Sequence, residues 1–330
     1  MKKYFTYHVN IVKHIGIGAL CAFAAIAMVS CKDEPDDNSA IGSSQSSKAI
    51  IDFDGNVLSY VGDNKIYYDS QGRVEEIHGR YNDDYLVIDY SRGKIDSAGD
   101  EGNIKFNKNG YISEMEAAWE REDGKYKIIG NSKYVFNYNS SGYLTSIKFT
   151  QKDKEYDSDS KRVCTLDGSI TTALNWSGGN LISSSSKWVV KEDGVTESWT
   201  IKCDFYYGSE TNAFGQIPFT VSDYAILGDN VFNTLASTGL FGKGPKNLPT
   251  SLEEIEDGES TLIRMDFSLN SNGSINSESS RYNTYRYGYA TLDTRANGRM
   301  INVNINKGRE KNLFDRFQLN HRKKKVALYP

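Results

Sequence analysis

The chain has 330 residues, 39 of them basic and 43 acidic, for a formal net charge of −4 at pH 7. Residues 1–30 hold Lys2, Lys3 and Lys13 and no acid, so the remainder carries 36 basic against 43 acidic residues, a net −7 that argues against a nucleic-acid partner. About 300 residues can bury a real core, and 22 Tyr, 14 Phe and 29 Gly against 5 Pro point to an all-β chain with many turns.

The chain opens on a basic n-region, then an apolar stretch from Ile15 to Val29 that is too short for a comfortable bilayer crossing. A small residue, Ser30, directly precedes Cys31, as lipoprotein processing requires, so residues 1–30 read as a removed signal peptide and Cys31 as the lipid-attachment site. Several acyl chains on one residue anchor firmly, which makes the membrane a partner through that anchor. Residues 31–48 are acidic and then Asn/Ser/Gly-rich, with too few large apolar groups to pack, and read as a flexible tether.

From residue 49 a turn pattern recurs: an aromatic or apolar residue, polar residues, Gly, any residue, then an aliphatic. It appears at Tyr68–Val74, Tyr90–Ile95, Phe106–Ile112, Tyr138–Leu144, Trp176–Leu181 and Leu269–Ile275. Gly takes the positive φ of a hairpin loop, and Asn, Asp or Ser bonds its own backbone there. Flanks that alternate, such as Trp199, Ile201, Cys203, Phe205 and Tyr207 against Thr200, Lys202 and Asp204, are strands with one buried side. Three pairs are spaced by three instead of two: Val74 with Ile77, Ile112 with Met115, and Leu144 with Ile147. A bulge just after each turn would return both members to one face. The expected fold is thus an antiparallel meander of long hairpins over 49–306, curled or closed into a barrel. One helix is expected at about 222–238, from Tyr224, Leu227, Val231 and Leu235 at helical spacing and the stop at Gly239, plugging or covering one end. Residues 307–330 form a basic tail.

The Lys32-Asp33-Glu34 run behind Cys31 resembles the surface-export signal of Bacteroidetes lipoproteins. The turn repeats, the helix and the stretch from Gly239 to Pro249 resemble an uncharacterised Bacteroidales family described as having a porin-like fold. The resemblance covers roughly residues 50–290 and implies a barrel displayed on the outer face of the outer membrane. It implies no catalytic residue. Strands alternating apolar with Lys, Asp, Asn and Ser fit equally a lipid-embedded channel and a soluble barrel with an inward core, and the lipid anchor, superfluous to a chain already embedded in the bilayer, weighs for the soluble barrel.

Motifs for chemistry are scarce. Beyond residue 30 the histidines are His78 and His321, neither beside a cysteine or a second histidine, so a His/Cys metal cage is excluded by inventory. An EF-hand starting at Asp52 fails because Val57 stands where Gly is needed. The alternating Asp153, Glu155, Asp157 and Asp159 read as a solvated loop or a weak calcium site, and no cofactor is called for. Cys164 and Cys203 leave one disulfide pairing open. Tyr285, Tyr287 and Tyr289 share one strand face, and Trp176 sits at a turn, so these four are the candidate ligand contacts, with core packing as the alternative. Together these readings give a non-enzymatic surface lipoprotein that binds a polysaccharide or another envelope protein. A structural or protein-interaction component of the envelope is the alternative, and a hydrolase with two carboxylates the third reading.

Overall fold

The computed structural model describes residues 55–291 except 81–84, 98–99, 124–125, 158 and 227–229. Cys31 and the segments before it, the tether, residues 292–306 of the expected meander and the basic tail lie outside the described residues. Sixteen described strands follow one another in a meander: β1 (Asn56–Val61), β2 (Asn64–Tyr68), β3 (Val74–His78), β4 (Tyr85–Asp89), β5 (Lys94–Ser97), β6 (Asp100–Phe106), β7 (Ile112–Asp123), β8 (Tyr126–Tyr138), β9 (Leu144–Tyr156), β10 (Arg162–Ser177), β11 (Asn180–Glu192), β12 (Val195–Thr211), β13 (Asn247–Glu256), β14 (Glu259–Leu269), β15 (Ile275–Ser280) and β16 (Thr284–Thr291). Each pairs antiparallel with its neighbours, and β1 meets β16 through Leu58↔Tyr289 and Val61↔Tyr287, which closes the barrel. Closure removes the free edges that an open sheet would expose.

The turns form as their sequence dictates. Asp69, Asn107 and Asn139 each accept, through the side chain, the N–H groups two and four residues on, at 2.9–3.1 Å. Gly72, Gly110 and Gly142 take φ of +76°, +80° and +87°. The spacing-of-three anomalies are bulges: Tyr67 lies opposite Glu76 but Tyr68 opposite Val74, Lys105 opposite Glu114 but Phe106 opposite Ile112, and Asn137 opposite Ser146 but Tyr138 opposite Leu144. Each extra residue turns the second apolar side chain back into the core, so that Val74, Ile77, Ile112, Met115, Leu144 and Ile147 are all buried.

The aromatic residue near each turn has a second task. Tyr68 Oη donates to Leu58 O at 2.7 Å, Tyr90 to Val74 O at 3.0 Å, Tyr138 to Ile112 O at 2.6 Å and Tyr207 to Leu181 O at 2.9 Å, while Trp176 Nε1 donates to Leu144 O at 2.7 Å. An aromatic tip thereby satisfies a wall carbonyl near this end of the barrel, most often on the residue where a strand begins. Tyr138→Phe strands the Ile112 carbonyl and is expected to cost about 1 kcal/mol, a fall in Tm of roughly 2–4 °C in a thermal melt.

Two helices, α1 (Phe219–Ala225) and α2 (Asn230–Ser237), stand where one helix was expected. The pair touches the wall on widely separated strands. Asn64 of β2 donates to Thr234 Oγ1 at 2.6 Å, the Tyr134 ring of β8 lies 6.2 Å from Phe232, Cys203 of β12 donates to the Tyr224 carbonyl at 3.7 Å, and the Tyr285 ring of β16 stacks on Phe219 at 4.1 Å. Only elements inside the ring can meet all four strands. Every residue from Val231 to Thr238 is buried, polar and apolar alike, as befits a helix packed on all sides. The helices are therefore a plug in the lumen. The segment after α2 seals the turn end: Ile112 N–H donates to Leu240 O at 2.9 Å, Lys243 N–H to Gly142 O at 3.0 Å and Lys246 N–H to Gly179 O at 2.9 Å. A cavity of about 20 Å³ remains between Phe232 and the wall at Ile95, Met115 and Tyr134, room for about one water.

Candidate functional site

Three features of the lumen bear on function: the strip of tyrosines, a buried carboxyl beneath it, and the open rim opposite the sealed end. Tyr285, Tyr287 and Tyr289 do share one face, but that face turns inward, against the plug. Tyr287 is 3 % exposed, and its Oη accepts the Phe219 N–H at 3.0 Å while donating to Glu278 Oε2 at 2.9 Å. Tyr289 Oη donates to Gln216 Oε1 at 3.1 Å. The strip packs against the plug, with Tyr287 buried and Tyr285 and Tyr289 half-buried, a placement that alternation in the sequence cannot give. Trp176 is likewise engaged, its ring 4.5 Å from Tyr143 and its N–H bound to the Leu144 carbonyl.

Glu278 is the acid that anchors the plug. It is 1 % exposed, and its Oε1 accepts both the Thr220 N–H at 2.7 Å and the Thr220 hydroxyl at 2.9 Å. A strand carboxyl therefore satisfies a first-turn donor of α1, where the preceding Pro218 offers no side-chain cap. Burial pushes its pKa up to about 7, against the hydrogen bonds from Thr220 and Tyr287, which favour the charged form.

The rim is built by unequal strands. β8 has 13 residues where β3 has 5, and at about 3.3 Å per residue the difference is roughly 25 Å of extra wall. With the turn end sealed, that surplus stands at the far end. The inner face of this wall grades from buried to open. Trp119, Asp153, Cys164 and Trp188 are buried, Glu155, Leu166, Glu192 and Trp199 half-buried, and Tyr126, Val195 and Glu197 exposed. Trp188 and Trp199 stack across β11 and β12 at 5.5 Å and 17°. Trp119 and Asp153 both lie over Gly130, whose missing Cβ leaves them the space. Nearby, Asp223 of α1 accepts from Asn233 Nδ2 at 3.0 Å. Asp223 is exposed at the mouth yet hemmed in by neighbouring atoms, and lost hydration raises its pKa. Glu254 of β13 is raised too, by burial first and then by Glu256 and Asp223. The rim thus combines aromatic planes with carboxylate acceptors above a closed floor.

The cysteine pairing left open by the sequence is not formed, and Cys164 and Cys203 are free thiols. Register explains it: Cys203 lies opposite Ser184, and Ser184 opposite Leu174, ten residues along β10 from Cys164, or about 30 Å. A disulfide needs Cα atoms within about 7 Å. Burial first, then nearby carboxylates, pushes each thiol up to about 12, which makes both poor nucleophiles. His78 is exposed beside Glu76 at 2.9 Å, with its ring between Tyr67 and Tyr85. Asp157 serves its own turn by accepting from the Asp159 and Lys161 N–H groups, apart from Asp153 and Glu155 on the inner wall. No three His, Cys, Asp or Glu side chains converge as metal ligands among the described residues. Glu278 was invisible to alternation, because a strict period of two from Ile275 would have turned it outward. The bulge that places Leu269 opposite Ile275 and Ser268 opposite Ser277 turns it in.

No family model matches the chain, and no curated protein does. Among solved structures it is similar to a porin-like protein from Bacteroides vulgatus ATCC 8482, with 14% sequence identity and a TM-score of 0.44, over 71% of this chain and 99% of that one. It is also similar to a porin-like protein from Bacteroides uniformis ATCC 8492, with 17% identity and a TM-score of 0.43, over 69% of this chain and 90% of that one.

Proposed function

We propose that the chain is a lipoprotein of the bacterial outer envelope, anchored through Cys31 and facing the cell exterior, whose plugged barrel is a non-enzymatic binding module for an extracellular macromolecule such as a glycan. The observation that carries this reading is the blind rim. An aromatic pair, Trp188 and Trp199, leads to exposed Glu197 and Val195 above a floor closed by α1 and α2. Such a cup can hold a ligand and passes nothing through. Sugar rings stack on aromatic faces, and carboxylates accept their hydroxyl hydrogens.

The outer wall supports a barrel that stands clear of the bilayer. Lys105 and Lys133 pair with Glu114 at 2.7 and 2.8 Å, and Lys133 also with Glu116 at 2.6 Å, all on the outer face of β6–β8. A lysine on a lipid face costs about 2–4 kcal/mol at the midplane, and an outward band of these residues has no place there.

Thermal unfolding of residues 38–330 against a polysaccharide panel tests the reading. A ligand at about 100 times its Kd adds roughly 2.7 kcal/mol, a shift of a few degrees. The expected result is a shift with one glycan that Trp199→Ala removes. A cooperative melt with no shift across the panel moves the assignment to a structural or protein-interaction component of the envelope. The raised carboxyls of Asp223 and Glu254 favour a hydrolase as the second reading. Release of reducing ends that Asp223→Asn abolishes would establish it.

A further inference from the structure

The outer wall divides into two electrostatic halves. On β5–β8 its lysines are neutralised across strands: Lys94 pairs with Glu101 at 3.3 Å, Lys105 with Glu114 at 2.7 Å, Lys127 with Glu120 at 2.5 Å, and Lys133 with Glu114 and Glu116. On β9–β12 the pattern changes. Lys148 has Val135 and Thr171 as its cross-strand neighbours, Lys154 has Ile129 and Thr165, and Lys202 has Ser185 and Ile255. Lys152 and Lys191 flank Asp167, and Lys202 lies two residues from Asp204 on the same face. These five lysines are exposed, and none makes an ion pair among the described residues. On the same strands Asp153, Glu155, Glu192 and Glu197 point inward, while Asp167 and Asp204 face outward among the lysines, so the outer face keeps an excess of positive charge.

We infer that the outer face of β9–β12 is a docking surface for an anionic polysaccharide. Five lysines without an ion pair among the described residues, against two outward acids, Asp167 and Asp204, are a local positive arrangement on a chain of net charge −4. Alternate residues on a strand lie about 6.7 Å apart and neighbouring strands about 4.8 Å apart, so the lysines form an extended array of point charges. Such an array suits a linear polymer carrying a carboxylate or sulfate at intervals. The positions between them include Thr150, Thr165, Ser169, Thr171, Ser185 and Thr200, short hydroxyls that can bond sugar hydroxyls, together with Lys187 and Val189. This face is separate from the rim, and the inference stands whether or not the rim binds a glycan.

The test uses the mature chain with polygalacturonate as probe, neutral dextran as control, and vesicles of phosphatidylglycerol as the competing source of anions. Binding to polygalacturonate is expected at 50 mM salt, weakening roughly 10- to 50-fold by 200 mM as counterion release from a linear polyanion requires. Lys148→Ser/Lys152→Ser/Lys154→Ser should lower affinity at least about tenfold, whereas Lys127→Ser/Lys133→Ser, which removes paired lysines from the adjoining face, should leave it within about twofold. Thermal melts confirm that each variant is folded, and Lys191→Ser/Lys202→Ser gives an independent loss from the other side of the patch. Absence of polygalacturonate binding at 50 mM salt, equal binding of dextran, preference for the vesicles, or equal loss in the paired-lysine variant overturns the proposal.

Discussion

Glu278→Gln is expected to flatten the pH dependence of stability between pH 5 and pH 8. The carboxyl has a folded pKa of about 7 against an ordinary 4.5, raised chiefly by burial. In the unfolded chain it is ionised above about pH 4.5, whereas in the fold it keeps its proton to about 7, so folding takes up a proton in that window. Its contribution is therefore complete below about 4.5 and is lost as pH rises through 7, by about 3 kcal/mol in all. Gln retains an acceptor for Thr220 and does not titrate, so the variant should match the wild type at pH 5 and exceed it at pH 8. Glu278→Ala behaves differently: it leaves the Thr220 N–H and the Tyr287 hydroxyl without their acceptor in a dry site, at a cost of about 3 kcal/mol. Urea unfolding at the two pH values checks both. An undiminished slope with pH in Glu278→Gln would show that another group governs it.

Gly102→Ala is expected to destabilise the barrel severely, by about 3 kcal/mol or more, while Gly168→Ala is tolerated within about 1 kcal/mol. Both glycines lie inside strands, so propensity alone does not separate them. A Cβ on Gly102 would sit 1.9 Å from the Glu116 carbonyl oxygen and 3.2 Å from the Ala117 Cα, both backbone atoms of the paired strand β7. Relief requires β6 and β7 to part. A Cβ on Gly168 meets nothing nearer than the Gln151 Cβ at 3.8 Å, an ordinary contact. Urea midpoints of the two variants against the wild type decide the matter, and equal effects would mean that strand propensity outweighs the close approach.

The wall of this barrel was legible in the chain because its signals are local. Glycine with Asn or Asp marks each turn, alternation marks each strand, and apolar pairs spaced by three at Val74, Ile112 and Leu144 mark bulges that the register contains. Closure was not legible, since β1 and β16 are joined by contacts between the two ends of the domain. The plug was read as one helix that plugs or covers an end. That it fills the lumen depends on Asn64, Tyr134, Cys203 and Tyr285, which no local pattern links. That the tyrosine strip faces the plug was hidden for the same reason: periodicity gives two faces and leaves open which of them a helix elsewhere in the chain will cover. The rim was hidden because its carboxylates come from α1, β9, β11, β12 and β13, brought together by closure alone.

The proposal that the plugged barrel works outside the bilayer is tested most directly by its solution behaviour without lipid. Residues 38–330, prepared in buffer free of detergent, should be monodisperse, should melt cooperatively, and should give no conductance steps when added to a planar bilayer. A chain that stays folded only in detergent, and that opens ion-conducting steps in the bilayer, would contradict the account.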